Sequence, residues 1–261
     1  PLSFFTSLLN SMIGSETKSS EYIFEAKKRG IKILPPSVNT STSTYEIEQE
    51  CIRFPLLGIK NIGRANCEAL LQERAKNGVY TDFFDFVARI STVKFSSKAI
   101  ESLIDAGALD DFQETRASLR ATLPDALRYA SLVKVDEIEQ QLDLTLVSKP
   151  PMVVMRDFLG DRSRKEKEVL GFYLSEHPIT QIRSRYAQDV KGLIELAHIK
   201  GYVKTIGFIE HTKQHRTKNG QIMMFVVISD ETSKFDLAIF PKEYQIYQDI
   251  LERGNYVYVE G

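Results

Sequence analysis

The sequence has no tryptophan, only two cysteines and no long hydrophobic run. Cys51 and Cys67 form no CxxC pair, and no histidine stands at zinc-ligand spacing from them. Neither a structural metal site nor a disulfide framework is therefore expected. A membrane-spanning helix needs about 20 consecutive apolar residues, and the first residues lack a signal peptide's layout. We expect a cytoplasmic protein with no membrane partner.

Motifs of catalysis are missing as well. The sequence has no aspartate pair at DxD spacing, no phosphate-binding GxxxxGK[ST] and no convincing Ser/His/Asp arrangement. The carboxylate pairs Glu46/Glu48 and Glu137/Glu139 are interpreted as solvated faces. His177 is interpreted as a packing residue at the end of a helix. No catalytic residue, no metal and no cofactor is therefore predicted within this chain.

An excess of charge of either sign is absent too, because 34 Lys and Arg stand against 35 Asp and Glu. The net charge of −1 gives no argument for a nucleic-acid partner, so any basic face must be local. Residues 198–220 contain such a concentration, with five basic residues against one acidic residue.

The first part of the chain has the apolar spacing of helices. This spacing predicts helices over 2–13 and 17–29, followed by an extended connector with a domain boundary near residue 50. From Phe54 to about Val133, short helices separated by glycine turns indicate a small all-α unit. Residues 134–164 are interpreted as a linker.

The last third changes to β-branched and aromatic runs. Three strands, a helix that begins at Pro241 and ends at Gly254, and a fourth strand are predicted from Gly201 onward. The order β-β-β-α-β is that of an oligonucleotide-binding (OB) fold without its last strand. The expected fold class is therefore α+β and multidomain, with a mainly α unit followed by this β-barrel.

The run FPLLGIKNIGRANCEALLQER is typical of a helix-hairpin-helix. In such a motif, turn amides and the N-terminus of the second helix face a DNA phosphate. Asn61 replaces the usual first glycine, which is tolerable because asparagine accepts left-handed backbone angles. SSKAIESLIDAGALDDF is interpreted as a second, degenerate copy. The residues predicted to bind duplex DNA are Lys60, Asn61, Ile62, Gly63, Arg64, Lys98 and Gly107. An ordinary helical turn is the alternative interpretation.

The run HTKQHRTKNG is predicted to be the loop between the first two barrel strands, where OB folds contact single-stranded nucleic acid. A solvated loop is the alternative. Phe208, Phe225, Phe235 and Phe240 are candidate stacking platforms, although alternation places at least half of them in the core. The predicted single-strand-binding residues are Lys204, Lys213, His215, Arg216 and Lys218.

Several runs occur in the order found in one protein family. They are GIKILPPSVNTS, GIKNIG followed by Glu73, Arg74 and Gly78, LIDAGALDDF, LGFYLSEHPI, and TKNGQIMMFVVISDET followed by AIFP. Together they resemble DnaE-type α subunits of bacterial DNA polymerase III, over nearly the whole chain. The resemblance implies that the palm, with its catalytic aspartates and magnesium, precedes Pro1, and that the last barrel strand follows Gly261. This segment should then be inactive in nucleotide transfer.

The resemblance also implies a peptide that binds the β sliding clamp, between the hairpins and the barrel. Gln141, Leu142, Asp143, Leu144 and Leu146 fit the form Gln-Leu-x-Leu-x-Leu there, but depart from the form that ends in Leu-Phe. From the residues alone, the run could equally be the end of a helix.

The predicted division has four regions: 1–50, the end of the fingers and a connector; 51–133, tandem hairpins; 134–180, the clamp-binding linker and a helix; and 181–261, the truncated OB fold. The expected function is non-catalytic binding of duplex and single-stranded DNA, the β sliding clamp and other replisome subunits. Two rivals remain open, namely a module of a DNA repair enzyme and a protein-interaction scaffold.

Overall fold

A computed structural model describes residues 1–93, 95–135, 142–143, 148–175, 177–186, 190–196, 199, 201–231 and 233–261. The chain divides into two compact units, Pro1–Ser175 and Glu176–Gly261. The mainly helical first unit and the β-rich second unit confirm the predicted fold class. Within the described residues, no helix is long and apolar enough to cross a membrane.

The first unit begins with two helices, α1 (Leu2–Asn10) and α2 (Glu16–Lys28), near the predicted positions. A small sheet follows, with strands β1 (Ile33–Leu34), β2 (Glu46–Glu48) and β3 (Cys51–Arg53). The central strand, β3, pairs in parallel with β1 and antiparallel with β2. The sheet therefore crosses the boundary predicted near residue 50, because strand pairing joins residues on both sides of it.

Four helices form the centre of the first unit: α3 (Arg64–Asn77), α4 (Phe83–Ser91), α5 (Ser97–Ala106) and α6 (Arg116–Leu132). Side chains cap three of them, since Asp82, Ser96 and Thr115 accept hydrogen bonds from backbone amides in the first turns of α4, α5 and α6. Such caps satisfy amides that have no partner inside the helix. The predicted all-α character of this region is confirmed.

The described part of the predicted linker packs on the first unit. After the short strands β4 (Lys134–Val135) and β5 (Leu142–Asp143), which pair with each other, an extended stretch runs along α6. Val153 N–H donates to Thr122 Oγ1 at 2.9 Å, and Met155 N–H donates to Ser118 Oγ at 2.8 Å. Helix α7 (Leu159–Leu170) then packs against α5. Residues 148–170 are therefore part of the first unit.

The second unit contains α8 (Thr180–Tyr186), α9 (Leu193–Leu196), β6 (Lys204–Arg216), β7 (Ile222–Ser229), β8 (Lys234–Ile239), α10 (Pro241–Tyr247) and β9 (Tyr256–Glu260). The four strands form an antiparallel sheet in the order β8-β7-β6-β9. Tyr244 of α10 packs with Ile209, Val226 and Ile228 on one face of the sheet. This face is the core of the unit, and the opposite face is called the outer face below.

Candidate nucleic-acid interface

The turn before α3 has the geometry that the hairpin prediction requires of its asparagine. Asn61 adopts a left-handed backbone conformation with a φ of 66°. Next to it, Ile62 is 4% exposed and anchors the turn in the core. The element before the turn is only a short 3-10 turn, Leu56–Gly58. One full helix and an anchored turn therefore form this hairpin.

Gly63 is the N-cap of α3 and is not in a glycine-specific conformation, since its φ is −77°. A Cβ atom built on it would meet only Asn66 Oδ1, at 3.9 Å. The backbone conformation at this position therefore does not require glycine. No side chain caps α3, so the helix amides at this exposed end are open to an outside acceptor.

A hydrogen bond joins this turn to α5. Asn61 Nδ2 donates to Ser102 Oγ at 2.9 Å, and Ser102 Oγ donates to Lys98 O at 3.0 Å. Since Ser102 is in the second turn of α5, the bond links the turn before α3 to the N-terminal half of α5. The N-terminus of each helix carries partial positive charge. We name this region the paired-helix site: residues 60–65 and 96–98.

Three basic side chains surround the paired-helix site. Lys60, Arg64 and Lys98 are all exposed. The backbone amide of Lys60 is already occupied, because it donates to Val169 O at 2.9 Å. The side chains, and the amides at the start of α3, are what this site can offer to an anion.

Gly107 does not belong to this site, contrary to the prediction from sequence. It ends α5 in a left-handed conformation with a φ of 82°, and its N–H donates to Ile104 O. A Cβ there would lie 2.0 Å from Arg116 Nη2. Gly107 is therefore covered by a guanidinium group, which leaves no room for a phosphate.

The second hairpin lies one helix earlier than the sequence suggested. Helix α4 and helix α5 are joined at 92–96, and Ser96 caps α5 by accepting from Ala99 N–H at 3.1 Å. The second helix of this pair therefore begins at Ser96, which the sequence analysis did not identify. A serine directly before an apolar helical run was the signal available for it.

The residues Glu73, Arg74 and Gly78, which carry much of the family resemblance, have structural roles. Arg89 binds both carboxylate oxygens of Glu73, at 2.7 and 2.8 Å, and also Gly78 O at 2.7 Å. Arg74 donates to Val38 O and Ser41 O. These contacts tie α3 to α4 and to the loop after β1. They therefore fix the position of α3, whose first residues belong to the paired-helix site.

In the second unit, the predicted basic loop is mostly strand. β6 continues to Arg216, so Lys213, His215 and Arg216 lie on it, and only Lys218 is in the turn to β7. The correction follows from register, because Lys213 pairs with Phe225 and Arg216 pairs with Ile222. The last residues of β6 are polar and lie beyond the core. A prediction based on alternating apolar residues therefore ends the strand too early.

The outer face of the sheet carries an exposed aromatic and basic patch. Lys213, Phe225 and Ala238 are neighbours across β6, β7 and β8, and the His215 ring lies 6.0 Å from that of Phe225. Phe225 is 43% exposed, and Phe240, just beyond β8, is 61% exposed. We name this the outer-face patch: His211, Lys213, His215, Phe225 and Phe240.

The other two candidate aromatic residues belong to packed regions. Phe208 is buried, and Phe235 packs against the core, so the expectation that at least half are core residues is confirmed. Lys204 pairs with Glu260 at the opposite end of β6. Nine residues of strand, about 30 Å, separate it from Lys213. It is therefore not brought together with the patch.

His177 packs against the sheet, as the sequence interpretation held. Its ring lies 6.3 Å from Phe208, and its Nδ1 accepts from Ile179 N–H. Nε2 therefore carries the proton and donates to Ser229 Oγ at 3.0 Å, which in turn donates to Glu210 Oε1. Within the described parts of the chain, no group of three or more His, Cys, Asp or Glu residues could hold a metal ion.

The predicted clamp-binding peptide falls largely outside the described residues. Gln141, Leu144 and Leu146 lie there, and the backbone of Leu142–Asp143 forms β5. Along the chain, the peptide lies between α6 and the stretch that begins at residue 148.

The comparisons with known proteins agree with both units. A helix-hairpin-helix motif family matches residues 30–119, and the family of OB-fold nucleic acid binding domains matches residues 198–261. The chain therefore combines two module types of nucleic-acid-binding proteins.

Its whole length is similar to the α subunit of DNA polymerase III. The identity is 35% with that protein of Bacillus subtilis, 34% with that of Staphylococcus aureus and 35% with that of Staphylococcus epidermidis. Each alignment covers 100% of this chain and 24% of the relative. The resemblance inferred from the motifs is confirmed, and the chain spans about a quarter of the length of these relatives.

Proposed function

We propose that this chain is a DNA-handling, non-catalytic segment of a replicative DNA polymerase. The paired-helix site binds the backbone of duplex DNA, and the outer-face patch binds single-stranded template. A peptide at 141–146 binds the sliding clamp. The observation that carries the proposal is the Asn61–Ser102 hydrogen bond, because it links the turn before α3, with Lys60 and Arg64, to α5, which begins beside Lys98.

The paired-helix site suits duplex DNA of any sequence. Its donors are backbone amides and flexible basic side chains, which recognise phosphate and not base edges. The outer-face patch suits single strands for a different reason. Exposed aromatic rings stack on unpaired bases, and neighbouring lysines contact the backbone. The strands 2–3 face is the usual nucleic-acid surface of an OB fold.

Fluorescence anisotropy with single-stranded, duplex and primer-template DNA over a salt series tests the proposal. We expect all three to bind, with affinity falling linearly on logarithmic axes as salt rises, since phosphate contacts release counterions. Binding of none of them, at low salt, would favour a protein-interaction scaffold instead.

Replacing Gly63 by valine should weaken duplex binding by about tenfold, because the side chain would hold a phosphate away from the amides of α3. The poorer N-cap should lower stability by only about 1 kcal/mol, and the fold should persist, since φ is ordinary and the Cβ position is open. Anisotropy and the melting temperature should be measured together. Ala75→Val, at the exposed opposite end of α3, is the matched control. Unchanged duplex affinity in a folded Gly63→Val variant would remove the hairpin from the interface.

The clamp peptide requires a separate test, by surface plasmon resonance against the cognate sliding clamp. Leu144 and Leu146 are proposed as apolar anchors, and Gln141 as a hydrogen-bonding group at the pocket rim. The double variant Gln141→Ala, Leu144→Ala should lose clamp binding at an unchanged melting temperature. The control double variant Asp143→Ala, Thr145→Ala should bind normally. Intact binding with a lowered melting temperature would instead show a structural role.

A further inference from the structure

A pocket of about 470 Å³ lies in the first unit, apart from the paired-helix residues. Its wall is formed in part by Lys27, Lys32, Asp110, Arg116, Arg162 and Glu166. Apolar surface from Ile31, Ile33 and Pro35 completes it. A volume of this size, with apolar walls and a few converging charges, is in the range of small-molecule sites.

Internal contacts already satisfy the two carboxylates. Arg116 holds both oxygens of Asp110, at 3.0 and 2.8 Å, and it also contacts Glu166 Oε2 at 3.2 Å. The other oxygen of Glu166 accepts from the backbone amides of Leu174 and Ser175. These carboxylates and Arg116 therefore bind one another. The other basic residues that line the pocket are Lys27, Lys32 and Arg162.

Arg162 is less fully paired than Arg116. Its only ion pair among the described residues is a long one, 3.5 Å from Nη2 to Asp110 Oδ2. Its Nε is buried and has no hydrogen-bond partner in the described part of the chain. A buried donor on a charged group is costly when it is left without an acceptor. The Arg162 side chain is 34% exposed, so the accessible part of its guanidinium can bind an anion in the pocket.

Two lysines add to the positive charge. Lys27 donates to Leu174 O at 2.7 Å. Burial lowers the pKa of Lys27, and the nearby Glu166 carboxylate offsets this only in part. Lys32 is exposed and forms no ion pair within the described residues. Both would gain from an anion in the pocket, as Arg162 would.

We propose that this pocket binds the phosphate group of a small ligand of nucleotide size. The exposed part of the Arg162 guanidinium donates to the phosphate, Lys32 adds charge at the mouth, and the apolar walls take the uncharged part of the ligand. None of the residues that line the pocket belongs to the paired-helix site of the same unit.

Isothermal titration calorimetry of the 261-residue chain with ADP, inorganic phosphate and adenosine tests the proposal. ADP should bind saturably and phosphate more weakly, while adenosine, which lacks phosphate, should not bind. Arg162→Gln should weaken ADP binding by about tenfold, as expected for one charge-assisted hydrogen bond. Arg164→Gln is the matched control on the same helix, because Arg164 is exposed and pairs with Asp161. It should change binding by less than about twofold.

Folding of each variant is checked by its melting temperature. Lys32→Gln is a second test, because Lys32 is exposed and its replacement should not disturb the fold. This variant should weaken ADP binding as well. Gly63→Val should leave ADP binding intact, so failure of the DNA-binding proposal is distinguishable from failure of this one. Absence of saturable binding by both ADP and phosphate would overturn the proposal. So would loss of duplex DNA binding in Arg162→Gln to the same degree as loss of ADP binding, because the pocket would then be part of the DNA interface.

Discussion

Changing Lys213, Arg216 and Lys218 together to alanine should weaken single-stranded DNA binding by roughly two orders of magnitude at about 50 mM salt. The slope of log affinity against log salt should fall by about 2, because each lost phosphate contact to a single strand removes about 0.7 from it. Lys213 and Arg216 extend from the exposed end of β6, and Lys218 lies at the tip of the turn. Because side chains alternate along a strand, Lys213 and Arg216 face opposite sides of the sheet, so a nucleic-acid strand that contacts all three passes around this end of it.

The matched control removes the same charge from elsewhere in the second unit. Lys191, Lys242 and Arg253 are exposed, and none of them lies on the outer face of the sheet. Changing these three to alanine should leave the slope nearly unaltered. If both triple variants flatten it equally, the effect is one of net charge, and the outer-face patch has no special role. If neither does, the basic residues are only solvated surface.

Replacing Arg116 by methionine should lower the free energy of unfolding of the first unit by about 3–5 kcal/mol. Arg116 and Glu166 are almost fully buried, with side chains 6% and 1% exposed. Removing the guanidinium leaves the Glu166 carboxylate buried without its strongest partner, and the cost of that uncompensated charge exceeds the lost attraction itself. It would also uncover Gly107, which Arg116 covers.

Urea unfolding followed by the helical circular dichroism signal measures this loss, because most of the helix is in the first unit. Adding Glu166→Gln to Arg116→Met should recover part of the stability, since the amide is neutral and its oxygen can still accept from Leu174 and Ser175. Arg164→Met, which breaks only an exposed pair, should change the free energy by less than about 1 kcal/mol. A loss of similar size in Arg164→Met would mean that burial is not the cause.

Two predictions for the hairpin region, those for Asn61 and Gly107, had different outcomes. The turn of the first hairpin could be predicted, because the left-handed angle of Asn61 and the start of α3 depend on residues only a few positions apart. The assignment of Gly107 failed for the opposite reason. Its environment is decided by Arg116, whose position depends on Glu166, 50 residues further along the chain.

The predicted division into regions also rested on local patterns alone. Strand β3 pairs with strands on the other side of the predicted boundary, and residues 148–158 look like a linker until Thr115, Ser118 and Thr122 are seen to bind their backbone. Neither relation has a local pattern, because strand pairing and docking of an extended segment are chosen by distant partners.

The sequence by itself determined the order of elements, the β-β-β-α-β pattern and the family resemblance. Each rests on spacing along the chain or on short runs of residues, and hydrogen bonds within one turn enforce them locally. Only the tertiary structure decided that Asn61 binds Ser102 of α5, that Lys213 lies beside Phe225, and that Arg162 lines a pocket. Those arrangements arise from packing between residues far apart in sequence, where burial and register select one partner among many.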